Sequence, residues 1–322
     1  MSDLGSPVAV SVIVATRNRC APLAETLEAM TRLVVPPALT WELIVVDNGS
    51  TDGTSALLDR YRARLPLRSV VEPVPGLSVA RNAGLHVARG EVIAFTDDDC
   101  VVDPHWLTAL WNEFASDPEL AALGGRVELY DPRDWPITIR TSRVRERFVS
   151  PLQLSTLIAG CNMAFTRRTI ELVGTFDTTL GAGTRVGGAE DMDFLYRAFR
   201  RALKIVYVPE VLVYHHHGRR TAAQVARLRR NYTLGRGALL CKYLLRADAG
   251  MFLRLCDDLA NHAGEALRHL RARRFPRRVA RHYWHMCVGA CYWLTSRRRV
   301  GAVRRSGAAD LTPVPAAVPT ES

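Results

Sequence analysis

Roughly the first 125 residues alternate short apolar runs with segments of helical period, and this alternation restricts the fold more than any other feature. Such a pattern indicates βα units, which build a mainly parallel sheet flanked by helices, so we expect an α/β protein. The predicted strands are Val10 to Ala15, Glu42 to Val46, Arg68 to Val71 and Val92 to Thr96, and the predicted helices are Pro22 to Leu33, Thr51 to Arg64 and Leu77 to Ala88.

Polar clusters follow three of these four strands, at the edge of a parallel sheet where loops and helix N-termini gather ligands. The clusters are Thr16-Arg17-Asn18-Arg19, Asp47-Asn48-Gly49-Ser50-Thr51-Asp52 and Asp97-Asp98-Asp99. The Asp47 carboxylate can accept a hydrogen bond from a nucleobase or a ribose hydroxyl, beside the free N–H groups of a helix start. An ordinary turn with a helix cap is the competing interpretation.

The acidic triplet lies directly after an apolar run, where three adjacent carboxylates repel one another unless a cation neutralises them. A divalent ion such as Mg²⁺ or Mn²⁺, which prefers oxygen ligands and is often shared with substrate phosphates, meets this need. A solvated acidic turn is the alternative for an isolated triplet. The neighbouring polar clusters favour the metal.

Two further motifs lie downstream. A Gly-rich loop from Gly181 to Gly188 precedes Glu190-Asp191, the best candidates for a catalytic acid or base, although acidic residues are also common in a first helical turn. Three histidines follow the predicted strands Lys204 to Val208 and Val211 to Tyr214. Strand alternation places His215 and His217 on one side, and one of the two is a candidate metal ligand.

These motifs resemble, in order and spacing, those of the family 2 glycosyltransferases, which have the GT-A fold. The resemblance covers roughly residues 8–218. It is carried by residues 11–19, 42–52, 80–84, 95–99, 160–165, 174–177 and 190–193. It implies an inverting, metal-dependent transferase that moves a sugar, of hexosyl type, from a nucleotide-diphosphate donor to an acceptor hydroxyl. The many ordered elements specify the fold well and the sugar poorly.

The resemblance also implies roles for individual residues. Asp191 would be the general base with Glu190 assisting. Asp99 would hold the metal and Asp97 the ribose or the metal. The donor nucleotide would contact Thr16, Arg17, Asp47, Arg81 and Asp97. Many members continue the acidic motif where this chain has Cys100, which makes Asp98 a weaker candidate and leaves the DxD pair Asp97 and Asp99 intact.

The second part of the chain is strongly basic. Residues 218–305 contain 21 Lys or Arg and four acidic residues, a balance of +17, so the remainder carries −6 of the total +11. We expect a catalytic domain over 8–218, a basic helical region over 219–305 and a disordered tail over 306–322. The seven cysteines form no CxxC pair and are predicted to be reduced, as in a cytoplasmic protein. We expect no signal peptide and no spanning helix.

Charge alone would permit nucleic-acid binding, but no recognition motif is present, so it is not expected. Trp284, Tyr292 and Trp293 lie among apolar residues between arginine clusters, which favours an interfacial helix on an anionic membrane, at the inner face of the cell membrane, and a lipid-linked saccharide as acceptor. A solvated face of a packed subdomain is the alternative. A soluble natural-product acceptor and a non-catalytic nucleotide-sugar-binding scaffold also stay open, as does the oligomeric state.

Overall fold

A computed structural model describes residues 8–272 and 275–307 of the 322-residue chain. The strands are β1 Val10–Thr16, β2 Trp41–Asp47, β3 Leu67–Val71, β4 Val92–Asp97, β5 Cys100–Val102, β6 Leu120–Leu129, β7 Glu146–Arg147, β8 Asn162–Thr166 and β9 Lys204–His215. The helices are α1 Cys20–Met30, α2 Thr54–Tyr61, α3 Leu77–Val87, α4 Trp106–Ser116, α5 Arg167–Val173, α6 Glu190–Phe199, α7 Ala222–Leu244, α8 Ala249–Arg271 and α9 Arg277–Gly307.

All four predicted N-terminal strands are confirmed, and they form the parallel half of a mixed sheet ordered β3-β2-β1-β4-β8-β6-β9-β5, with β7 beside β9. The prediction of a mainly parallel sheet holds for this half. In the other half, β8 runs antiparallel to both β4 and β6, while β6 and β9 are parallel. Strand direction changes there because β8 is reached through an irregular excursion instead of a crossover helix.

The sheet is buried on both faces, as the near-continuous apolar strands require. Successive residues of β1 alternate between two cores: Val12 and Val14 belong to one and Ile13 to the other. Strand alternation explains this division, because neighbouring side chains leave a strand on opposite sides. The second core also contains residues of α6 and of the C-terminal helices, so those helices cover one face of the sheet.

β1, β2 and β4 end side by side, which positions the polar clusters. Thr16 of β1 is in register with Asp47 of β2, and Ala15 is in register with Asp97 of β4. Since adjacent strands lie about 4.8 Å apart, the two carboxylates stand on either side of the β1 terminus. The predicted convergence of three strand ends is therefore confirmed.

β9 replaces the two short strands that the sequence predicts near its ends. It is continuous from Lys204 to His215, but its register against β6 shifts between Val208 and Leu212. Pro209 lies inside this shift and has no backbone N–H to donate. The proline therefore produces a bulge in one strand where the sequence pattern suggests a break between two.

The predicted excursion from Tyr130 to Pro151 consists mostly of loop. It contains the two-residue strand β7 and an isolated bridge between Val127 and Arg140, and it ends at a 3₁₀ helix over Pro151–Ser155. Arg140 donates to the Thr156 carbonyl at 2.7 Å and pairs with Glu146. These contacts attach the loop to the sheet beside the cleft described below.

α7 and α9 cross at two glycines. A Cβ on Gly237 would lie 2.0 Å from the Met286 carbonyl oxygen, and a Cβ on Gly289 would lie 2.0 Å from the Leu234 carbonyl oxygen. Only glycine permits so close an approach of the two backbones. The prediction of disorder over 306–322 lies outside the described residues, apart from Ser306 and Gly307, which end α9.

Candidate functional site

The acidic triplet lies where β4 ends, and two of its members are held by Arg19. The Arg19 Nε donates to Asp98 Oδ1 at 2.8 Å, and its Nη2 donates to Asp99 Oδ2 at 2.7 Å. The other Asp98 oxygen accepts from Thr16 Oγ1 at 2.7 Å. Burial raises the pKa of Asp98 to about 7, although the charge of Arg19 opposes the shift. Both Asp98 oxygens are thus engaged, in keeping with its weaker candidacy as a ligand.

Asp99 also faces His215 across the sheet. Its Oδ1 lies 3.3 Å from His215 Nε2, and both side chains are buried. Burial would raise the pKa of Asp99, but the hydrogen bond and charge of His215, together with Arg19, outweigh it and lower the pKa. Burial would likewise lower the pKa of His215, yet the neighbouring Cys100 and Asp99 raise it to about 10. An ion pair therefore occupies this point at neutral pH.

The two candidate histidines differ in the lone pairs they offer. Their rings are adjacent, with centroids 5.2 Å apart, as strand alternation predicts. His217 Nδ1 accepts from the Arg219 N–H at 3.0 Å, and its Nε2 lies 3.1 Å from the Trp135 carbonyl oxygen. Both nitrogens of His217 are therefore used within the protein, whereas His215 Nε2 faces a carboxylate. The geometry favours His215 over His217 as a ligand.

The donor set around Asp99 fits a divalent cation. Asp99 Oδ1 and His215 Nε2 can both turn to an ion between them once His215 loses its proton. Asp97, one-third exposed, lines the same cleft and offers further oxygen atoms. The Cys100 thiol belongs to the same cluster, but a hydrogen bond with Cys161 and burial raise its pKa well above the ordinary value, so it stays a neutral thiol.

Arg81 joins the acidic triplet to the Glu190-Asp191 motif. Its side chain is buried, and it pairs with Glu190 at 3.0 Å through Nη1 and with Asp97 at 3.2 Å through Nη2. Nη2 also donates to the Gly160 carbonyl at 3.0 Å. The sequence predicts that Arg81 binds a nucleotide. The structure shows its guanidinium engaged by protein groups, so its position is that of a clamp between β4 and α6.

Glu190 and Asp191 begin α6 at a strained point of the backbone. The preceding Ala189 is left-handed, with φ 76° and ψ 11°, a conformation that costs roughly 1 kcal/mol or more outside glycine. A Cβ on Gly160 would lie 2.7 Å from Asp191 Oδ2, so a glycine there leaves room for the carboxylate. This backbone turn aims the first helical residues into the cleft.

The electrostatics of the pair suit proton transfer. Burial and the charge of Asp191 raise the pKa of Glu190 to about 7, against the opposing charge of Arg81. Burial likewise raises the pKa of Asp191, again opposed by Arg81. A carboxylate whose pKa approaches neutrality is a better base than one at its ordinary value, because it binds a proton more tightly and is still ionised near pH 7.

The loops after β1 and β2 are fixed to each other. Asp47 accepts from the Ser50 N–H at 2.8 Å, and the Asn18 side chain accepts from the Thr51 N–H at 2.7 Å. Asn48 accepts from the Gly76 N–H at 2.8 Å and thereby holds the loop that leads into α3. Asp47 is buried at the β2 terminus, and Arg17 is exposed.

A cleft of about 890 Å³ brings most of the predicted site residues together. Its lining includes Arg81, Asp97, Asp99, Glu190, Asp191 and His215. Thr16, Arg17 and Asp47 lie outside this lining in the described part of the chain, on the side of the β1 and β2 loops. The candidate metal ligands and the candidate base therefore share one cavity. The candidate nucleotide-binding residues Thr16, Arg17 and Asp47 lie outside its lining.

Other lining residues come from beyond the predicted catalytic domain. They are Arg219, Leu228, Asn231, Tyr232 and Arg236. Nη1 of Arg219 is buried and has no hydrogen-bond partner among the described residues. Sequence reasoning missed Arg219. Its position two residues after the candidate ligand His217 could have indicated it, but the predicted catalytic domain ends at Gly218. Among residues 8–272 and 275–307, no helix has both the length and the apolar character that a bilayer span needs.

Comparison with known proteins agrees with this architecture. A curated succinoglycan biosynthesis protein, ExoM from Rhizobium meliloti, is 30% identical over 60% of this chain and 62% of its own length. A hyaluronan synthase from Pasteurella multocida is 27% identical over 65% of this chain and 24% of its own length. The chain thus spans about a quarter to just under two-thirds of these two relatives.

Solved structures share the fold at lower identity. The mannosyltransferase PcManGT from Pyrobaculum calidifontis, in complex with GDP-Man and Mn²⁺, has a TM-score of 0.58 at 22% identity, over 94% of this chain and 82% of that one. S. aureus TarS 1-349, in complex with UDP-GlcNAc, has a TM-score of 0.55 at 20% identity, over 74% and 72%. The predicted GT-A fold with a C-terminal helical part is confirmed.

The family itself follows from the matching family models. The model described as glycosyl transferase family 2 matches residues 11–172, about half of the chain. The model described as glycosyl transferase family group 2 matches residues 92–306, which include most of the cleft lining and nearly all of the C-terminal helices. Because the family 2 model matches half of the chain, and the matched half contains the ends of β1, β2 and β4, the chain belongs to glycosyl transferase family 2.

Proposed function

We propose that this protein transfers a sugar from a nucleotide-diphosphate donor to an acceptor hydroxyl, with inversion at the anomeric carbon. One observation carries the proposal: Arg81 pairs with both Asp97 and Glu190 in a single cleft. This clamp fixes a metal-binding carboxylate cluster opposite a candidate base. A transferase needs both groups on opposite sides of the bond that is exchanged.

The donor would lie across the ends of β1, β2 and β4. Asp47 is proposed to accept from the base, with Thr16, Arg17 and Asp97 beside the nucleotide. Support comes from the strand register, which aligns these ends, and from the two structural neighbours solved with GDP-Man or UDP-GlcNAc. Asp99 and His215, with Asp97, would hold Mn²⁺ or Mg²⁺. An imidazole ligand favours Mn²⁺, the ion in the PcManGT complex.

The reaction would proceed through residues on both sides of the cleft. Asp191 accepts the proton of the acceptor hydroxyl while the oxygen of that hydroxyl bonds to the anomeric carbon. The bond from that carbon to the diphosphate oxygen breaks, and the nucleoside diphosphate leaves with the electron pair. Arg219 donates to the departing oxygens, since its buried Nη1 is otherwise unpartnered. A bound divalent cation would stabilise the charge that develops on the leaving diphosphate.

The protein is also proposed to attach peripherally to an anionic membrane, where a lipid-linked acceptor would be presented. The sequence places the contact on Trp284, Tyr292 and Trp293, but Trp293 is only 3% exposed and packs in a small core. α8 instead presents an exposed apolar face along its whole length. This face consists of Phe252, Cys256, Leu259, Ala263, Leu267 and Leu270.

Vesicle flotation would test the attachment, with phosphatidylglycerol vesicles against phosphatidylcholine vesicles. Deleting the last helix is unsuitable, because α9 supplies the buried Met286 and Trp293. A Phe252→Ser, Leu259→Ser double variant removes apolar surface at exposed positions, and Val144→Ser, 67% exposed on a distant loop, is the matched control. Equal flotation of the double variant and the parent would end the membrane proposal and favour a soluble acceptor.

Calorimetric titration with UDP, GDP and dTDP, each with Mn²⁺ and with EDTA, is the primary test. We expect one nucleotide to bind, and only with the metal. Asp99→Asn should abolish the metal-dependent binding of the nucleotide. Asp59→Asn, on the exposed surface of α2, should leave that binding unchanged. A folded protein that binds none of the three would overturn the assignment of the donor site.

A further inference from the structure

A second cavity adjoins the catalytic cleft, between the Gly-rich loop and the first half of α7. Its volume is about 380 Å³. It is lined by Ala182, Gly183, Thr184, Arg185, Gly187, Arg227, Arg230, Asn231 and Leu234. We call this cavity the basic annex. It shares Ala182, Gly187 and Asn231 with the cleft, so the two spaces meet at these residues.

The annex is cationic without compensating acids. Three of its lining residues are arginines and none is acidic. Within the described ranges, none of Arg185, Arg227 and Arg230 forms an ion pair with a carboxylate. By contrast, Arg19 and Arg81 on the other side of the cleft hold two carboxylates each. Three guanidinium groups around one cavity create a positive potential that an anion would neutralise.

The geometry of α7 explains why these side chains converge. Arg227, Arg230, Asn231 and Leu234 are spaced at i, i+3, i+4 and i+7, which places them on one helix face. Leu234 is buried, whereas Arg227 and Arg230 are exposed and Asn231 is half-buried, so the polar ends of this face are open to a ligand from solvent. Arg229 lies off this face and is absent from the lining.

The opposite wall of the annex is held in place by its own small core. Leu180, which directly precedes the Gly-rich loop, and Val186 within it are buried against Ala238 and Trp293. The guanidinium carbon of Arg185 lies 4.3 Å from the centre of the Tyr292 ring, a cation–π distance. A loop anchored at both ends positions Arg185 before any ligand arrives, which reduces the entropy cost of binding.

The position of the annex relative to the candidate base indicates what it would hold. Gly187 lines both spaces, and the chain runs from it through Gly188, Ala189 and Glu190 to Asp191, four residues away. A hydroxyl placed at Asp191 would therefore belong to a molecule whose remainder can extend into the annex. The donor nucleotide lies on the other side, at the ends of β1 and β2.

We propose that the basic annex binds a phosphate or diphosphate group of the acceptor. This inference rests on the proposed transferase function and adds the substrate class: a phosphate-bearing acceptor whose hydroxyl reaches Asp191. Guanidinium groups bind phosphate oxygens through paired, charge-assisted hydrogen bonds, and the Asn231 amide adds a further donor. Such a group occurs in a lipid-linked saccharide and in a soluble sugar phosphate.

Site-resolved arginine modification tests this proposal without requiring activity. The full-length protein is treated with phenylglyoxal, and the modification rate of each arginine is measured by peptide mass spectrometry. We expect inorganic phosphate to slow the modification of Arg227 and Arg230 and to leave Arg229 unchanged. UDP or GDP with Mg²⁺ should protect Arg219 instead. The two protections are independent, so failure of the annex and failure of the donor site are distinguishable.

Two further arms identify the ligand. Acetate at equal ionic strength should protect neither Arg227 nor Arg230, and protection equal to that by phosphate would overturn the phosphate assignment. Phosphatidic acid in phosphatidylcholine vesicles, compared with pure phosphatidylcholine vesicles, separates the two sources. Protection by these vesicles supports a lipid-linked acceptor, and protection by free phosphate alone supports a soluble one. Absence of protection by any phosphate overturns the proposal.

Variants provide the quantitative check. Arg227→Gln with Arg230→Gln should weaken calorimetric phosphate binding at least roughly tenfold, since each lost charged hydrogen bond costs about a decade of affinity. Arg229→Gln, on the same helix, should leave binding unchanged. Metal-dependent nucleotide binding should be retained in both variants. Equal phosphate affinity in the double variant and the Arg229 control would contradict the annex.

Discussion

The two sides of the cleft use arginine in opposite ways. At the carboxylate side, Arg19 and Arg81 each pair with two acidic groups, and Arg81 is buried. At the other side, Nη1 of Arg219 is buried without a partner, and Arg227 and Arg230 have no ion pair in the described parts of the chain. Paired arginines maintain the architecture of the carboxylates, whereas unpaired ones are available to charges that a ligand brings.

The largest effect is expected from a change at the candidate base Asp191, which should affect the transfer rate and not the groups that the two kinds of arginine hold. Asp191→Asn should lower the transfer rate by ~10²–10⁴ because the acceptor hydroxyl loses its base. Nucleotide binding, measured by calorimetry, should stay nearly unchanged, since Asp191 contacts the acceptor side. Single-turnover release of the nucleoside diphosphate measures the rate, with Asp59→Asn as control. A fully active Asp191→Asn enzyme would place the base elsewhere.

Replacing Arg81, which pairs with Asp97 and Glu190, should lower the free energy of unfolding. Arg81→Met leaves the buried Glu190 and the partly exposed Asp97 without their counter-charge, which we expect to lower the free energy of unfolding by about 3 kcal/mol. Urea denaturation measures this, and Arg17→Met, at an exposed position, is the control. A loss no greater than that of the control would show that the paired arginines are not architectural, and the contrast between the two sides would disappear.

The unpaired arginine should show the reverse pattern. Arg219→Gln is expected to weaken metal-dependent nucleotide-diphosphate binding by roughly tenfold or more, the cost of one charge-assisted hydrogen bond. Its unfolding free energy should fall less than that of Arg81→Met, because Nη1 has no hydrogen-bond partner among the described residues and only the attraction between Arg219 and Asp99 is lost. Calorimetry and urea denaturation on the same variant provide both readings. A destabilised variant with normal nucleotide affinity would assign Arg219 to the architectural group.

The smallest effect concerns pH. As the proposed base, Asp191 would act only when ionised, and its pKa is raised, so kcat/KM should increase with pH above the ordinary carboxylate range. Glu190→Gln removes a neighbouring negative charge, which should lower the apparent pKa by about one unit. A pH–rate profile of both proteins measures the shift. An unchanged or higher apparent pKa in Glu190→Gln would exclude this coupling.

The raised pKa of the neighbouring Glu190 affects the stability of the fold. Glu190 titrates near pH 7 in the folded protein, above its ordinary value of 4.5. The folded state therefore holds this proton more tightly than the unfolded state, and stability falls as pH rises through about 7. The free energy of unfolding of the wild-type protein should therefore fall more between pH 6 and pH 8 than that of Glu190→Gln. Urea titrations of both proteins at the two pH values measure the difference.

Sequence reasoning predicted the strands and their polar ends, because period and turn residues are local. It could not predict that Arg19 pairs with Asp98 and Asp99, about 80 residues away, because local patterns carry no information on partners. The antiparallel direction of β8 could not be predicted for the same reason, because its partner strands β4 and β6 are distant in the sequence.

The C-terminal helices show a further limit. Helical period tells which residues share a face but not which face is covered. Phe252 and Leu259 share one face of α8 by helical period, yet they are 60% and 49% exposed. Trp293, expected at an interface, is buried against the Gly-rich loop. Only the tertiary arrangement decides which apolar stripe meets the core.

The placement of β8 has a consequence for synthesis of the chain. β4 lies between β1 and β8, and β8 begins more than 60 residues after β4 ends. At typical synthesis rates, the outer edge of β4 therefore waits roughly 3 to 13 seconds for its partner. During that interval, the apolar segment from Val92 to Phe95 presents an unpaired edge, which favours pairing with other nascent chains. The recovery of soluble protein should thus depend on how quickly translation reaches Thr166.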